Sequence, residues 1–164
     1  MTSQGVQAPG PRFHRAAAAL IGGCAAYQLA LGAYFAVFRP ALLPEDFRFL
    51  GTTAERLVNL PRLERWLDLV FVVLGGQMAA LGVLLSVFAV HLWRRRIVAR
   101  YELVLLGIAG GLSVAVMSAV NFALASNFRW LLVVPVLSWL IGVALAIVGS
   151  GPASTKAGAR PHAR

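Results

Sequence analysis

Four stretches of this chain are longer and more apolar than the core helices of a soluble domain. They cover residues 16–38, 69–93, 103–125 and 130–149, and none contains Asp, Glu, Lys or Arg. About 20 apolar residues carry a helix across the hydrocarbon of a bilayer. There every backbone N–H and C=O must be satisfied within the protein, which leaves helices or a closed barrel. Long apolar runs without period-two alternation select helices. The expected fold is therefore an all-α membrane protein, a four-transmembrane-helix bundle.

Composition agrees. Of 164 residues, 59% are hydrophobic and 13% are charged, against roughly 45–50% and 25% in soluble domains. So few charges would not cover a water-facing surface, whereas lipid asks for none. The net charge of +9 would point to nucleic acid in a soluble protein. Here the cations flank apolar runs, so they read as topology signals and no nucleic-acid partner is expected. Cys24 is the one cysteine, which excludes an internal disulfide or a cysteine metal cluster.

The runs divide the chain into a cytoplasmic disordered tail at 1–15, a transmembrane domain at 16–149 and a second such tail at 150–164. The one sizeable polar segment, the outer loop at 39–67, is expected to carry one or two short helices. Pro44, Glu45 and Asp46 read as a helix start with acids in the first turn. Thr52 or Thr53 can cap a second short helix. Leu57, Leu60, Leu63 and Leu67 form a stripe at helical spacing. A cleaved signal peptide is the rival reading of the first run, with Arg12 and Arg15 as its basic region. A signal core runs about 7–15 residues, and here apolar sequence continues well past Cys24.

Orientation follows from counting Lys and Arg. The tails and the 94–100 loop hold nine, and the 39–67 loop and the 126–129 turn hold six. Arg94, Arg95 and Arg96 abut a span directly. By the positive-inside rule both termini are cytoplasmic, and the expected location is the bacterial cytoplasmic (inner) membrane. Trp66, Trp93 and Trp130 fall at expected interfaces.

Small residues recur along the spans. The second carries Gly75, Ala79, Gly82, Ser86 and Ala89, the third Gly107, Gly111, Ala115, Ala119 and Ala123. The fourth carries Ser138, Gly142, Ala146 and Ser150, the first Ala18, Gly22, Ala26 and Ala30. In lipid, helices associate by close packing along such stripes. Pro135 is expected to free a carbonyl near position 131 and kink the fourth span. Gln28, Gln77 and Asn121 are the candidate intramembrane polar contacts. No span carries an ionisable group near its midplane, which argues against proton-coupled transport. His14 and His91 lie too near the surface to hold a haem between helices, so no cofactor or metal is expected. Glu45, Asp46, Glu55 and Glu64 could serve as a carboxylate site in the outer loop. Arg48, Arg56, Arg62 and Arg65 stand nearby in sequence, so surface ion pairs are the plainer expectation.

Pro44, Phe47, Phe49, Leu50 and Gly51, followed by Leu74, Gly75 and Gly76, resemble a pattern of small bacterial four-span membrane proteins. The overall plan is similar to the DoxX-like group. The resemblance implies a four-helix inner-membrane bundle and carries no catalytic residue. Three functions are compatible with these features. One is a scaffold or accessory subunit packed against another membrane protein. The second is an oligomeric carrier of a small apolar or lipid-like molecule. The third is a membrane enzyme using the outer-loop carboxylates, the least supported of the three.

Overall fold

The computed structural model describes residues 11–57, 60, 62–94 and 99–150, and no strand occurs among them. Helix α1 (Pro11–Ala33) ends in a π-helical turn, Tyr34–Phe38. Two short helices follow, α2 (Pro44–Leu50) and α3 (Ala54–Leu57), and then the long α4 (Leu63–Trp93). Helix α5 (Arg100–Gly110) runs through a second π-helical turn, Gly111–Ala115, into α6 (Val116–Ala123). Helix α7 (Val133–Gly149) closes the order. Three segments are long and apolar enough to cross a membrane, Arg12–Phe38, Leu63–Trp93 and Tyr101–Ala123, while α7 is a shorter apolar helix. The chain is a multi-pass membrane protein by this measure.

The observed ends depart from the expected ones where local chemistry intervenes. Helix α1 already includes Pro11–Arg15, ahead of the apolar run, so the basic stretch 11–15 is helical. Residues 1–10 and 151–164 lie outside the described residues, as do Arg95 and Arg96. Helix α4 starts at Leu63, so the leucine stripe is broken: Leu57 ends α3, Leu60 lies between the helices, and Leu63 and Leu67 belong to the first turns of α4. Helix α7 starts at Val133, which puts Pro135 in its first turn, where no helical N–H is required. The expected kink therefore has no cause. The carbonyl of Leu131 accepts the N–H of Val134 at 3.3 Å.

Helix α1 is the hub, with α4 against one face and α7 against another. The α1–α4 crossing is set by glycine. A Cβ on Gly75 would stand 2.5 Å from the Gly32 carbonyl oxygen, and one on Gly32 would stand 2.7 Å from the Gly75 oxygen. Only hydrogen side chains allow such approach, and packing of this kind replaces the hydrophobic effect in lipid. The contact continues through Gly82 against Ala25 and Leu29, then Ala89 against Gly22. Helix α7 meets α1 where Gly142 faces Leu20 and Ile21, and where His14 lies against Gly149. The ends of α1 and α7 near the tails thus lie together. Helix α5 is pinned to α7 by the Trp139 indole, which fills the notch at Gly110.

The buried cluster sits in the half of the molecule nearest the tails. It gathers Ala17, Ala18, Ile21, Ala25, Leu85, Ala89, Leu92, Leu103, Leu106 and Ala146. At the opposite end lie the short helices α2 and α3. Gly51, at φ 61°, ends α2 in the left-handed conformation that glycine adopts freely. Asp46 accepts the N–H of Leu43 at 2.8 Å, capping α2. The same oxygen pairs with Arg39 at 3.3 Å, the one ion pair among the described residues. The Arg39 guanidinium also lies 3.6 Å from the Phe71 ring centroid on α4. Hydrogen bonds from Thr53 and its own backbone hold the exposed Glu55 carboxyl below the usual range.

Candidate functional site

At the loop end the helices spread and enclose a cavity of about 310 Å³. Helix α1 and its π turn contribute Tyr27, Leu31, Tyr34 and Phe35. The start of α2 contributes Leu43 and Glu45, and α6 contributes Met117 and Asn121. The connection into α7 supplies Ser126, Phe128, Leu131 and Leu132. The walls are mostly apolar, with the polar groups of Glu45, Asn121, Ser126 and two tyrosines among them.

Glu45 is the group that sets this cavity apart. It is only 7% exposed, and its Oε1 accepts the Ser126 hydroxyl at 3.2 Å. No cation within the described residues pairs with it: Arg39 is taken by Asp46, and Arg48 is exposed. Carboxylates are rarely buried without a partner. Two backbone devices aim these residues. Pro44 and the Asp46 cap fix the first turn of α2, and so the position of Glu45. Past α6, Ala125 adopts φ 50°, with Ser126 N–H bonded to Asn121 O and Ala125 N–H to Phe122 O, both at 3.0 Å. This is a Schellman ending with alanine where glycine is usual, a conformation costing about 1–2 kcal/mol. Such strain is held at positions that the surrounding structure determines, and here it turns Ser126 inward.

One turn deeper, the second π turn presents Ser113 to α1. Gln28 is fully buried and donates its Nε2–H to Ser113 Oγ at 2.7 Å. This joins α1 to the third long segment. Gln28 Oε1 and Trp139 Nε1 are the buried side-chain polar atoms without a partner among the described residues. The Cys24 thiol points at the Pro135 carbonyl at 3.5 Å.

The residues singled out in the sequence separate accordingly. Asn121 lines the cavity, although its Nδ2 donates to Met117 O within its own helix at 2.9 Å. Gln28 lies buried near the cavity, and Gln77 is exposed on the outer face of α4. Gly75, Ala79 and Gly82 face α1, while the Ser86 hydroxyl bonds back to Gly82 O at 2.8 Å. Gly142 packs on α1. A Cβ on Gly107 would meet nothing within 4 Å, and one on Gly111 only the rim of Trp139 at 3.8 Å. Arg94 is exposed at the end of α4. The outer-loop carboxylates do not form one site: Glu45 is buried, Asp46 is paired with Arg39, and Glu55 and Glu64 are exposed. The expected pairing with Arg48, Arg56, Arg62 or Arg65 is absent among the described residues. Tyr27, Tyr34, Ser126, Gly32 and Trp139 were not legible as a set, because nothing in their spacing shows that two helices and a turn meet there.

The class defined by helices and cavity is a multi-pass α-helical membrane protein with a mixed polar and apolar pocket at one end. No family model, curated protein or solved structure matches the chain.

Proposed function

We propose that the chain is a four-span protein of the bacterial inner membrane, with both termini cytoplasmic, that binds a small amphiphilic molecule at its extracytoplasmic end. The observation that carries this reading is Glu45, a carboxylate more than nine-tenths buried on the wall of a largely apolar cavity. Apolar walls with a few convergent polar groups are the usual make-up of a small-molecule site. Carriage or handling of a lipid-like molecule then follows, as exposed Tyr34, Phe128 and Leu131 stand on the cavity wall. Helix α7 serves as the fourth span. Its 17 residues reach about 25 Å at 1.5 Å per residue, and the turn from Trp130 to Leu132 extends it to the interface. A photoreactive alkyl probe incubated with the purified protein tests this reading. Adducts on the α1 and α6 walls support it, and adducts spread evenly over the lipid-facing surface refute it.

A second reading, association with another membrane protein or a second copy, is favoured by the exposed Gln77. An amide facing hydrocarbon lacks partners, and Gly76 and Ala80 beside it are small and exposed. Gln77→Leu is expected to lower the particle mass in mild detergent; an unchanged mass removes this reading.

A further inference from the structure

We infer that the polar end of the ligand is an organic ammonium. The inference rests on the cavity reading above and assigns the chemistry that the cavity selects. Glu45 is 7% exposed and receives one neutral donor, the Ser126 hydroxyl. Arg48, the nearest cation along the chain, is exposed and makes no ion pair among the described residues, and Arg39 is already engaged by Asp46, by the carbonyls of Pro40 and Ala41, and by the Phe71 ring. A buried carboxylate is costly unless an opposite charge meets it, and the chain supplies none among its described residues. The ligand can supply that charge.

Other ligand classes fit less well. An anionic headgroup would meet the carboxylate and find no arginine among the cavity-lining residues. A purely apolar molecule would leave Glu45 unpaired. A metal ion would want several carboxylate or imidazole ligands, and no group of three His, Cys, Asp or Glu stands together among the described residues. The aromatic lining agrees with a cation. Tyr27, Tyr34 and Phe128 all border the cavity, and aromatic faces with one acid recognise ammonium groups. A volume of about 310 Å³ holds an ammonium head and a short stem. The rest of an alkyl chain leaves past Tyr34, Phe128 and Leu131, which are exposed. The same chemistry is presented by a free alkylamine and by the headgroup of an aminophospholipid.

The test is calorimetric titration of the full-length protein in maltoside micelles with two probes of equal chain length, decyltrimethylammonium and decanol. The expected result is saturable binding of the ammonium, at least about tenfold tighter than decanol, with Glu45→Gln removing most of that preference. Tyr34→Leu, which leaves the carboxylate in place, is expected to weaken the ammonium selectively; it keeps the test valid if Glu45→Gln does not fold. Equal binding of both probes, unchanged in both variants, overturns the ammonium assignment and leaves the cavity reading standing. Binding of neither probe overturns both. Repeating the titration in nanodiscs with and without phosphatidylethanolamine separates the sources. Competition by that lipid identifies a headgroup, and its absence identifies a free amine.

Discussion

The Gln28–Ser113 hydrogen bond shows how unequal two ends of one contact can be. Across membrane helices such bonds contribute about 0.6 kcal/mol on average and up to about 2. Ser113→Ala would leave both polar atoms of the Gln28 amide buried without partners, and is expected to cost about 1–3 kcal/mol. Gln28→Leu removes the unsatisfied Oε1 together with the bond, so its cost should stay below about 1 kcal/mol. Unfolding of both variants by SDS titration in mixed micelles checks the order; a larger loss in Gln28→Leu would contradict it. Ala125 offers the opposite case. Glycine there relieves left-handed strain but adds backbone entropy, so Ala125→Gly should stabilise by about 0.5–1 kcal/mol. The same titration reads it, and destabilisation would show that the strain is not felt. Glu45 marks the limit of residue-level reading. Its position at a helix start was legible, but its burial depends on Ser126, 81 positions away.

Elements were legible where periodicity and composition agree, and their faces were legible only in part. The second-span stripe steps by alternating fours and threes, the period at which two helices keep one seam in contact, and its glycines do face α1. Steps of four throughout drift around a helix by about 40° each time, since 3.6 residues make a turn. That drift explains why Ala26 and Ala30 of α1 and Ala119 and Ala123 of α6 are exposed. The seam of α1 instead runs through Gly22, Ala25, Leu29, Gly32 and Ala36, again by threes and fours. The π turns were not legible at all, because a one-residue insertion leaves no mark on hydropathy; one of them delivers Ser113. A paired substitution tests the crossing. Gly75→Leu should destabilise by about 1–3 kcal/mol or more through overpacking. Gly76→Leu, at a position with nothing within 4 Å, should have little effect. Equal effects of the two would show that the α1–α4 approach does not hold the fold.

At the scale of the whole molecule, the structure divides into two halves of different character. Small residues and the buried cluster close the half nearest the tails, and the short helices, the Arg39–Asp46 latch and the cavity occupy the other. Location in a membrane followed from run length and charge alone, since these need no tertiary contact. The cavity did not, because it is made by four segments that only the fold brings together. Its proposed use requires that α7 cross the bilayer and that Glu45 lie on the extracytoplasmic side. Single cysteines in a Cys24→Ala background, labelled in intact cells with a membrane-impermeant maleimide, test both requirements at once. With four spans, Thr53→Cys and Asn127→Cys react in intact cells, whereas Ser3→Cys and Ala163→Cys react only after the membrane is opened. If Ala163→Cys reacts in intact cells while Ser3→Cys stays protected, the two termini lie on opposite sides and the four-span account is wrong.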